Sequence, residues 1–107
     1  MVVISKSKHV TTLINEFTVS PENQDKLVHM LVEATERTMK FVPGFVSASI
    51  HKTADGVHVV NYAQWKNRND FEAMRDNPKA QAHMQPIMEI AQADFHLYEV
   101  VGSYQMP

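Results

Sequence analysis

Two side chains suited to binding an oxygen atom of a ligand interrupt an otherwise apolar stretch, VVNYAQW, at residues 59–65. Asn61 and Trp65 stand four residues apart, with Ala63 midway between them. The side-chain amide and the indole N–H are neutral hydrogen-bond donors, and neither can act as a general base. The pair predicts a place where a polar group of a ligand is held, rather than one where a proton is removed.

Alternation of period two determines which way each side chain of this stretch faces. If residues 57–65 form a strand, Asn61, Ala63 and Trp65 point to one side, and the even-numbered residues point to the other. On the preceding strand, Ala48 falls on the same side as Asn61. Two small side chains beside a buried amide leave space, so the pattern predicts a cavity with a few fixed hydrogen-bonding groups.

A second interpretation of the same residues stays open. Asn61 could bond to a neighbouring backbone group, and Trp65 could be only a large core residue. The cavity is favoured by Asn15, which has the same inward parity on the first predicted strand. The first and third strands are neighbours in the fold predicted below, so the two amides would share one space.

The elements that must position these residues follow from apolar periodicity and from turn signals such as Ser20-Pro21 and Asp55-Gly56. They are strands over Thr11–Val19, Phe45–Lys52, 57–65 and 95–104, and helices over 21–40, 67–75 and 78–91, with a bend expected at Pro86. This order is that of a split βαβ, ferredoxin-like α+β fold, an antiparallel sheet with its helices on one face. We expect one domain over residues 1–107.

The face of the predicted hairpin that turns away from the helices has a mixed character. It is too apolar to leave in water and too polar for a closed core. A second copy of the sheet is the simplest cover, so we expect a homodimer formed through the sheet faces. The residues on this face are Phe45, Val60 and Tyr62, beside Ser47, Ser49, His51, His58 and Gln64.

Composition narrows the possible classes of function. The 107 residues contain no cysteine, which excludes a thiolate nucleophile and cysteine-ligated metals. Lys and Arg number 10 against 12 Asp and Glu, so no basic surface for nucleic acid is expected. The apolar part of MVVISKSKHV is too short for a signal peptide, and no segment reaches the length of a membrane span. We expect a cytoplasmic protein with no nucleic-acid or membrane partner.

The segment VPGFVSASIHKTADGVHVVNYAQW, residues 42–65, resembles the signature region of the antibiotic biosynthesis monooxygenase family, which are small dimeric α+β barrel proteins. The predicted order of elements agrees over nearly the whole chain. The nearest likeness is to the cofactor-independent monooxygenases of aromatic polyketide pathways, including actinorhodin biosynthesis. The resemblance implies oxidation of an anthrone-type phenol to a quinone, with no cofactor and with a small aromatic substrate and O₂ as partners.

The resemblance also implies roles for individual residues. The family's catalytic asparagine falls on Asn61 and its tryptophan on Trp65. The two tyrosines that the polyketide enzymes place beside the substrate fall on Ile50 and Phe71, so the positions are substrate contacts that have lost their hydroxyls. The arginine expected on the later helix has no clear counterpart near Met84.

The chemistry implied by the resemblance needs little from the protein. A deprotonated phenol or hydroquinone can pass an electron to dioxygen and recombine with it as a peroxide, without a metal or flavin. The protein must stabilise the anion, and Asn61 and Trp65 are donors that could hold a developing oxyanion. We therefore expect Asn61 and Trp65 to be catalytic and Asn15, Ala48 and Ala63 to contact the substrate.

Proton removal needs another group, and the six histidines are the candidates. His83, on the helix expected to cover the cavity, is preferred as a catalytic base, with a surface or core histidine as the alternative. His51 and His58 could pair across the hairpin, but two ligands without a positioned carboxylate make a weak site, so no metal is expected. Several methionines recur at the helical spacing of a core or, alternatively, of an adaptable wall for a flat ligand: Met30, Met39, Met74, Met84 and Met88.

Two further functions stay open. INEFTV and AQAH resemble segments of haem-degrading enzymes of the same superfamily, and Asn15 and His83 match the asparagine and axial histidine of those enzymes. Their tryptophan falls near Ala73 or Met74, so haem is the less favoured ligand. The third possibility is a dimeric module that binds a ligand without enzymatic activity, because the tyrosines are lost.

Overall fold

Four strands form one antiparallel sheet in the order β2-β3-β1-β4: β1 (Thr11–Val19), β2 (Phe45–Lys52), β3 (His58–Trp65) and β4 (Ala91–Tyr98). The computed structural model describes residues 10–107. Its α-helices are α1 (Gln24–Arg37), α2 (Arg68–Arg75) and α3 (Pro78–Ile90), and the 3-10 turns Pro21–Asn23 and Met39–Phe41 flank α1. The predicted ferredoxin-like α+β fold is confirmed.

The helices cover one face of this sheet. Phe17 of β1 and Val59 of β3 are fully buried, and they form one cluster with Leu27 and Leu31 of α1 and Ile87 of α3. Full burial of a large aliphatic or aromatic side chain contributes ~1.5–3 kcal/mol. The inward face of the sheet and the apolar stripes of α1 and α3 therefore form one core.

Asparagine side chains cap the N-termini of α2 and α3. Asn67 Oδ1 accepts the backbone N–H of Asp70 at 2.8 Å. Asn77 Oδ1 accepts backbone N–H groups of the first turn of α3, where Pro78 occupies a position that needs no donor. Caps of this kind contribute ~1 kcal/mol each, so α2 and α3 start at defined points beside the sheet. In the described part of the chain, no helix has the length and apolarity needed to span a bilayer.

The β2–β3 hairpin turns through residues that hold its loop by local hydrogen bonds. The Asp55 carboxylate accepts the Thr53 hydroxyl and, at 3.1 Å, the Val57 N–H, and these bonds hold the pKa of Asp55 below its ordinary value. Gly56 has a φ of +84°, which suits the predicted Asp-Gly turn. The turn places Ile50 opposite Asn61.

The last strand starts and ends earlier than predicted. We expected it over residues 95–104, whereas β4 begins at Ala91 directly after α3 and ends at Tyr98. Within residues 10–107 its only neighbour is β1, and the pairing runs from Val19 opposite Ala91 to Thr12 opposite Tyr98. The residues that follow Tyr98 belong to no strand.

Phe45 does not belong to the outer face of the hairpin, and that prediction was wrong. Phe45 pairs with Trp65 but Ser47 pairs with Gln64, so Val46 is an additional residue in β2. A bulge of this kind reverses the parity of the residues before it. The Phe45 ring consequently packs edge-on against the indole, with ring centroids 5.6 Å apart.

Gly44, the residue before β2, lies against Asp70 of α2. Its φ is +90°, and an added Cβ would lie 2.3 Å from the Cβ of Asp70. Gly56 has a similar φ of +84°, but its nearest neighbour, in Pro21, would be 3.5 Å away. Gly56→Ala should lower the free energy of unfolding only by the ~1–2 kcal/mol that a left-handed conformation costs. Gly44→Ala should lower the free energy of unfolding by that amount and by a further ~1–3 kcal/mol, because α2 must move to make room for the new Cβ.

Urea denaturation of both variants measures the difference. Equal losses of unfolding free energy in Gly44→Ala and Gly56→Ala would show that the contact between Gly44 and α2 is loose.

Candidate functional site

A cavity of about 380 Å³ lies between the inner face of the sheet and the three helices. All four strands and all three helices contribute side chains to its wall. Its volume is in the range of small-molecule sites, roughly 300–1,000 Å³. The wall is mainly apolar, so the few polar groups in it decide what the cavity can bind.

Three of these polar groups have buried atoms without a hydrogen-bond partner. The atoms are Asn15 Oδ1, Asn61 Oδ1 and Trp65 Nε1, and all three residues line the cavity. A buried polar atom that is left unpaired costs about 1–3 kcal/mol. Rotation of an asparagine side chain about its last bond presents either the oxygen or the NH₂ group, so each amide can accept or donate. The cavity therefore has free groups that can form hydrogen bonds to a polar ligand.

The pairing of β1 with β3 brings the two amides together. Asn15 lies directly opposite Asn61 in the register, and Leu13 lies opposite Ala63. Inward side chains of directly opposed residues are about 4.5–5.5 Å apart at Cβ. The expectation that two inward amides share one space is confirmed by this register.

A row of aromatic rings forms one wall of the cavity. It runs from Phe45 through Trp65 and Phe71 to Phe95, and all four residues line the cavity. Successive ring centroids are 5.6, 6.5 and 5.9 Å apart. We call these four residues the aromatic row. Successive rings are inclined to each other by 87°, 64° and 57°, so the row offers both ring edges and ring faces to an aromatic ligand.

Most of the residues predicted to form the site do line this cavity. The structure brings their side chains to one space. They are Asn15, Ala48, Asn61, Ala63, Trp65 and Phe71.

His83, expected to be the base, is not among the residues that line the cavity. Its Nε2 lies 3.0 Å from the Thr38 hydroxyl at the end of α1. On α3, Ala80, Met84 and Met88 recur every four residues along the side that faces the cavity. His83 lies on the flank of α3 that faces α1, so its assignment as the base lacks structural support.

Ile50 also lies outside the cavity. It is opposite Asn61 on the edge strand β2, but it packs against the main core cluster that contains Phe17 and Leu27. The structure therefore gives no support to the prediction that Ile50 contacts substrate.

Arg75 is a site residue that the sequence analysis did not identify. It lines the cavity from α2, with its guanidinium carbon 5.1 Å from the centroid of the Phe95 ring and 6.0 Å from that of Phe71. The spacing of Phe71, Met74 and Arg75 places them on one side of a helix. That spacing was the feature of the sequence from which Arg75 could have been predicted to face the cavity. Of the methionines between residues 10 and 107, four belong to the cavity wall: Met39, Met74, Met84 and Met88.

The sheet, the helices and the cavity between them define a class of protein. Residues 11–86 match the model of the antibiotic biosynthesis monooxygenase family. The chain belongs to this family, as the resemblance of residues 42–65 predicted.

Individual relatives are similar over almost the whole chain. Tetracenomycin-F1 monooxygenase from Streptomyces glaucescens is 41% identical over 104 residues, which are 97% of this chain and 93% of the relative. The monooxygenase from the gene ActVA-Orf6 of Streptomyces coelicolor, crystallised with nanaomycin D, has a TM-score of 0.80 at 25% identity, covering 94% of this chain and 95% of that one. SnoaB from Streptomyces nogalater, a cofactor-independent oxygenase, has a TM-score of 0.73 at 20% identity, over 89% and 96% of the chains.

If the unpaired amide of Asn15 serves a ligand, removing it should not destabilise the empty protein. Asn15 and Gln24 are both 8% exposed, but the Gln24 amide donates to the carbonyls of Thr53 and His58 at 2.9 and 3.1 Å. Asn15→Leu should leave the unfolding free energy unchanged or raise it by about 1 kcal/mol, whereas Gln24→Met should lower it by about 1–3 kcal/mol.

Thermal and urea unfolding of the two variants measure these changes without any ligand. An equal loss in both would mean that Asn15 is bonded in the empty protein and is a structural residue.

Proposed function

We propose that this protein is a cofactor-independent monooxygenase that uses O₂ to oxidise a polycyclic phenol, anthrone or quinol to a quinone. The observation that supports this most strongly is the set of unpaired polar atoms on Asn15, Asn61 and Trp65 in an apolar cavity. Membership of a monooxygenase family and the similarity to tetracenomycin-F1 monooxygenase point to the same class of reaction. The description of SnoaB as a cofactor-independent oxygenase agrees with the expectation that no metal or flavin is needed.

The proposed reaction balances with the substrate and O₂ alone. Loss of a proton from an anthrone gives an enolate, which passes one electron to O₂. The resulting radical and superoxide combine at carbon, and the peroxide anion takes up a proton. Loss of water from this hydroperoxide leaves a carbonyl, so one oxygen atom of O₂ enters the quinone and the other leaves as water.

The cavity supplies position and neutral hydrogen bonds to this reaction. A planar substrate would lie along the aromatic row, with the methionines on α2 and α3 fitting its outline. The indole N–H of Trp65 and the amide of Asn61 would then hold the enolate oxygen and the peroxide. Donors fixed in a site without water stabilise a developing anion more strongly than water does.

Among the residues that line the cavity, none is a carboxylate or a histidine. The side chains of the wall therefore do not include an ordinary general base. We propose that the substrate loses its proton to solvent, before or during entry, and that the cavity selects the anion. The haem-degrading alternative would need His83 in the cavity wall, and its contact with Thr38 does not favour it.

Substitutions of Asn61 and Trp65 test the proposed chemistry. Asn61→Ala and Trp65→Phe should each lower kcat for an anthrone by about 10²-fold or more, because each removes a donor that stabilises transition-state charge. Tyr62→Phe, next to Asn61 but facing outward, is the control and should retain wild-type turnover. Oxygen consumption without added metal or flavin is the measurement.

The melting temperature of each variant separates catalysis from packing. If Asn61→Ala and Trp65→Phe keep full turnover and only melt at lower temperature, both residues are structural and the proposed function fails.

We also propose that the protein is a homodimer that associates through the outer faces of the sheets. Val60 and Tyr62 on this face are only half-buried in the single chain. At the other end of the face, the Gln64 amide donates to the Thr12 hydroxyl at 3.0 Å, and both residues are 1% exposed. A second copy would cover the half-exposed apolar part.

Val60→Lys tests the dimer with little strain inside the chain, because Glu16 lies directly opposite Val60 and can pair with the new charge. We expect the variant to sediment as a monomer and to melt at a lower temperature, since association and stability are linked. A wild-type protein that sediments as a monomer at micromolar concentration would contradict the proposal.

A further inference from the structure

Arg75 is the one charged side chain among the residues that line the cavity. It stands on α2, and half of its side chain is exposed to solvent. The other wall groups that form hydrogen bonds are neutral amides, an indole and a hydroxyl. A single cation at the edge of an otherwise uncharged cavity makes that edge attractive to an anion.

The guanidinium is held in place but is not saturated. It lies over Phe95 at 5.1 Å and near Phe71 at 6.0 Å, contacts that restrict its motion. Its ion pair with Glu72 spans 3.5 Å between two half-exposed side chains, and exposed pairs of this kind are weak. A guanidinium has five N–H donors, and their fork matches a carboxylate. Arg75 therefore has donors available for a ligand.

The aromatic row connects Arg75 to the deeper polar groups. Trp65, which is 2% exposed, lies within the row, and Phe95, beneath the guanidinium, ends it. A planar ligand that lies along the row and bonds to Trp65 at one end would bring its far ring beside Arg75. The cavity thus has a neutral, buried end and a cationic, open end.

We propose that Arg75 determines substrate specificity by binding an anionic oxygen group, a carboxylate or an ionised phenol, on the ring of the substrate farthest from Trp65. This inference rests on the proposed function for its ligand class, polycyclic phenols. It adds that the preferred members of that class carry a negative charge at the open end of the cavity.

Binding can be measured without any oxidation, because the chain contains a single tryptophan and that residue lines the cavity. Quenching of its fluorescence reports occupancy. Two quinones that need no turnover serve as probes: rhein, a dihydroxyanthraquinone carboxylic acid, and chrysophanol, which carries a methyl group in place of the carboxylate. The variants are Arg75→Gln and Arg75→Lys.

Arg37→Gln is the matched control. Arg37 is also a helical arginine with a glutamate at 3.5 Å, Glu33, and it does not line the cavity. Arg75→Gln should raise the Kd of rhein by at least about tenfold, because a charge-assisted hydrogen bond is lost. Arg75→Lys should retain part of the affinity, and Arg37→Gln should retain all of it. Added salt should weaken rhein binding in the wild type more than in Arg75→Gln.

The two probes separate the two anionic groups. If the Kd of rhein rises and that of chrysophanol does not, Arg75 binds the carboxylate. If both rise, Arg75 binds a phenol oxygen, which both probes carry, and a larger rise at alkaline pH, where these hydroxyls ionise, assigns the contact to the ionised form. If Arg75→Gln binds both within about twofold of the wild type, or if the wild type binds neither, the inference is wrong. Should Arg75→Gln not fold, the salt dependence of the wild type and the Arg75→Lys affinities decide the same question.

The outcome is independent of the proposed oxidation. Rhein binding that depends on Arg75, together with no turnover of any anthrone, would retain the anion site and remove the monooxygenase. Turnover of anthrones with no dependence on Arg75 would support the monooxygenase function and contradict the anion site.

Discussion

The antiparallel pairing of β1 with β3 is the interaction on which both the core and the site depend. It places Phe17 opposite Val59 in the core and Asn15 opposite Asn61 in the cavity. Because side chains alternate along a strand, a slip of one residue would turn Asn61 to the outer face and Gln64 to the inner one. The same hydrogen bonds therefore determine what the protein buries and what it can bind.

The site lowers the stability of the protein when no ligand is bound. Three buried polar atoms without partners cost free energy in the empty protein, and the apolar cluster around Leu27 and Ile87 offsets that cost. Such a balance is common where function requires groups that folding would exclude. A ligand that bonds to Asn61 and Trp65 would remove the penalty, so part of its affinity would come from groups left unpaired in its absence.

Local periodicity was sufficient to predict β1, the hairpin and the inward direction of Asn15, Asn61 and Trp65, because alternation acts over a few residues. The bulge at Val46 was not predictable, since one additional residue leaves the pattern on either side intact. The different positions of His83 and Arg75 relative to the cavity depend on how α3 and α2 rotate against the sheet, which tertiary packing decides.

We propose that the unpaired indole N–H of Trp65 donates a hydrogen bond to the ligand. Because the chain has one tryptophan, its indole N–H gives a single, unambiguous signal in a ¹H–¹⁵N spectrum. An anthrone added under anaerobic conditions should move this proton downfield as the N–H gains an acceptor, while the methyl signals of Met84 and Met88 show that the cavity is filled. If those methyl signals reach saturation and the indole signal does not move, Trp65 makes no bond to the ligand and the account is contradicted.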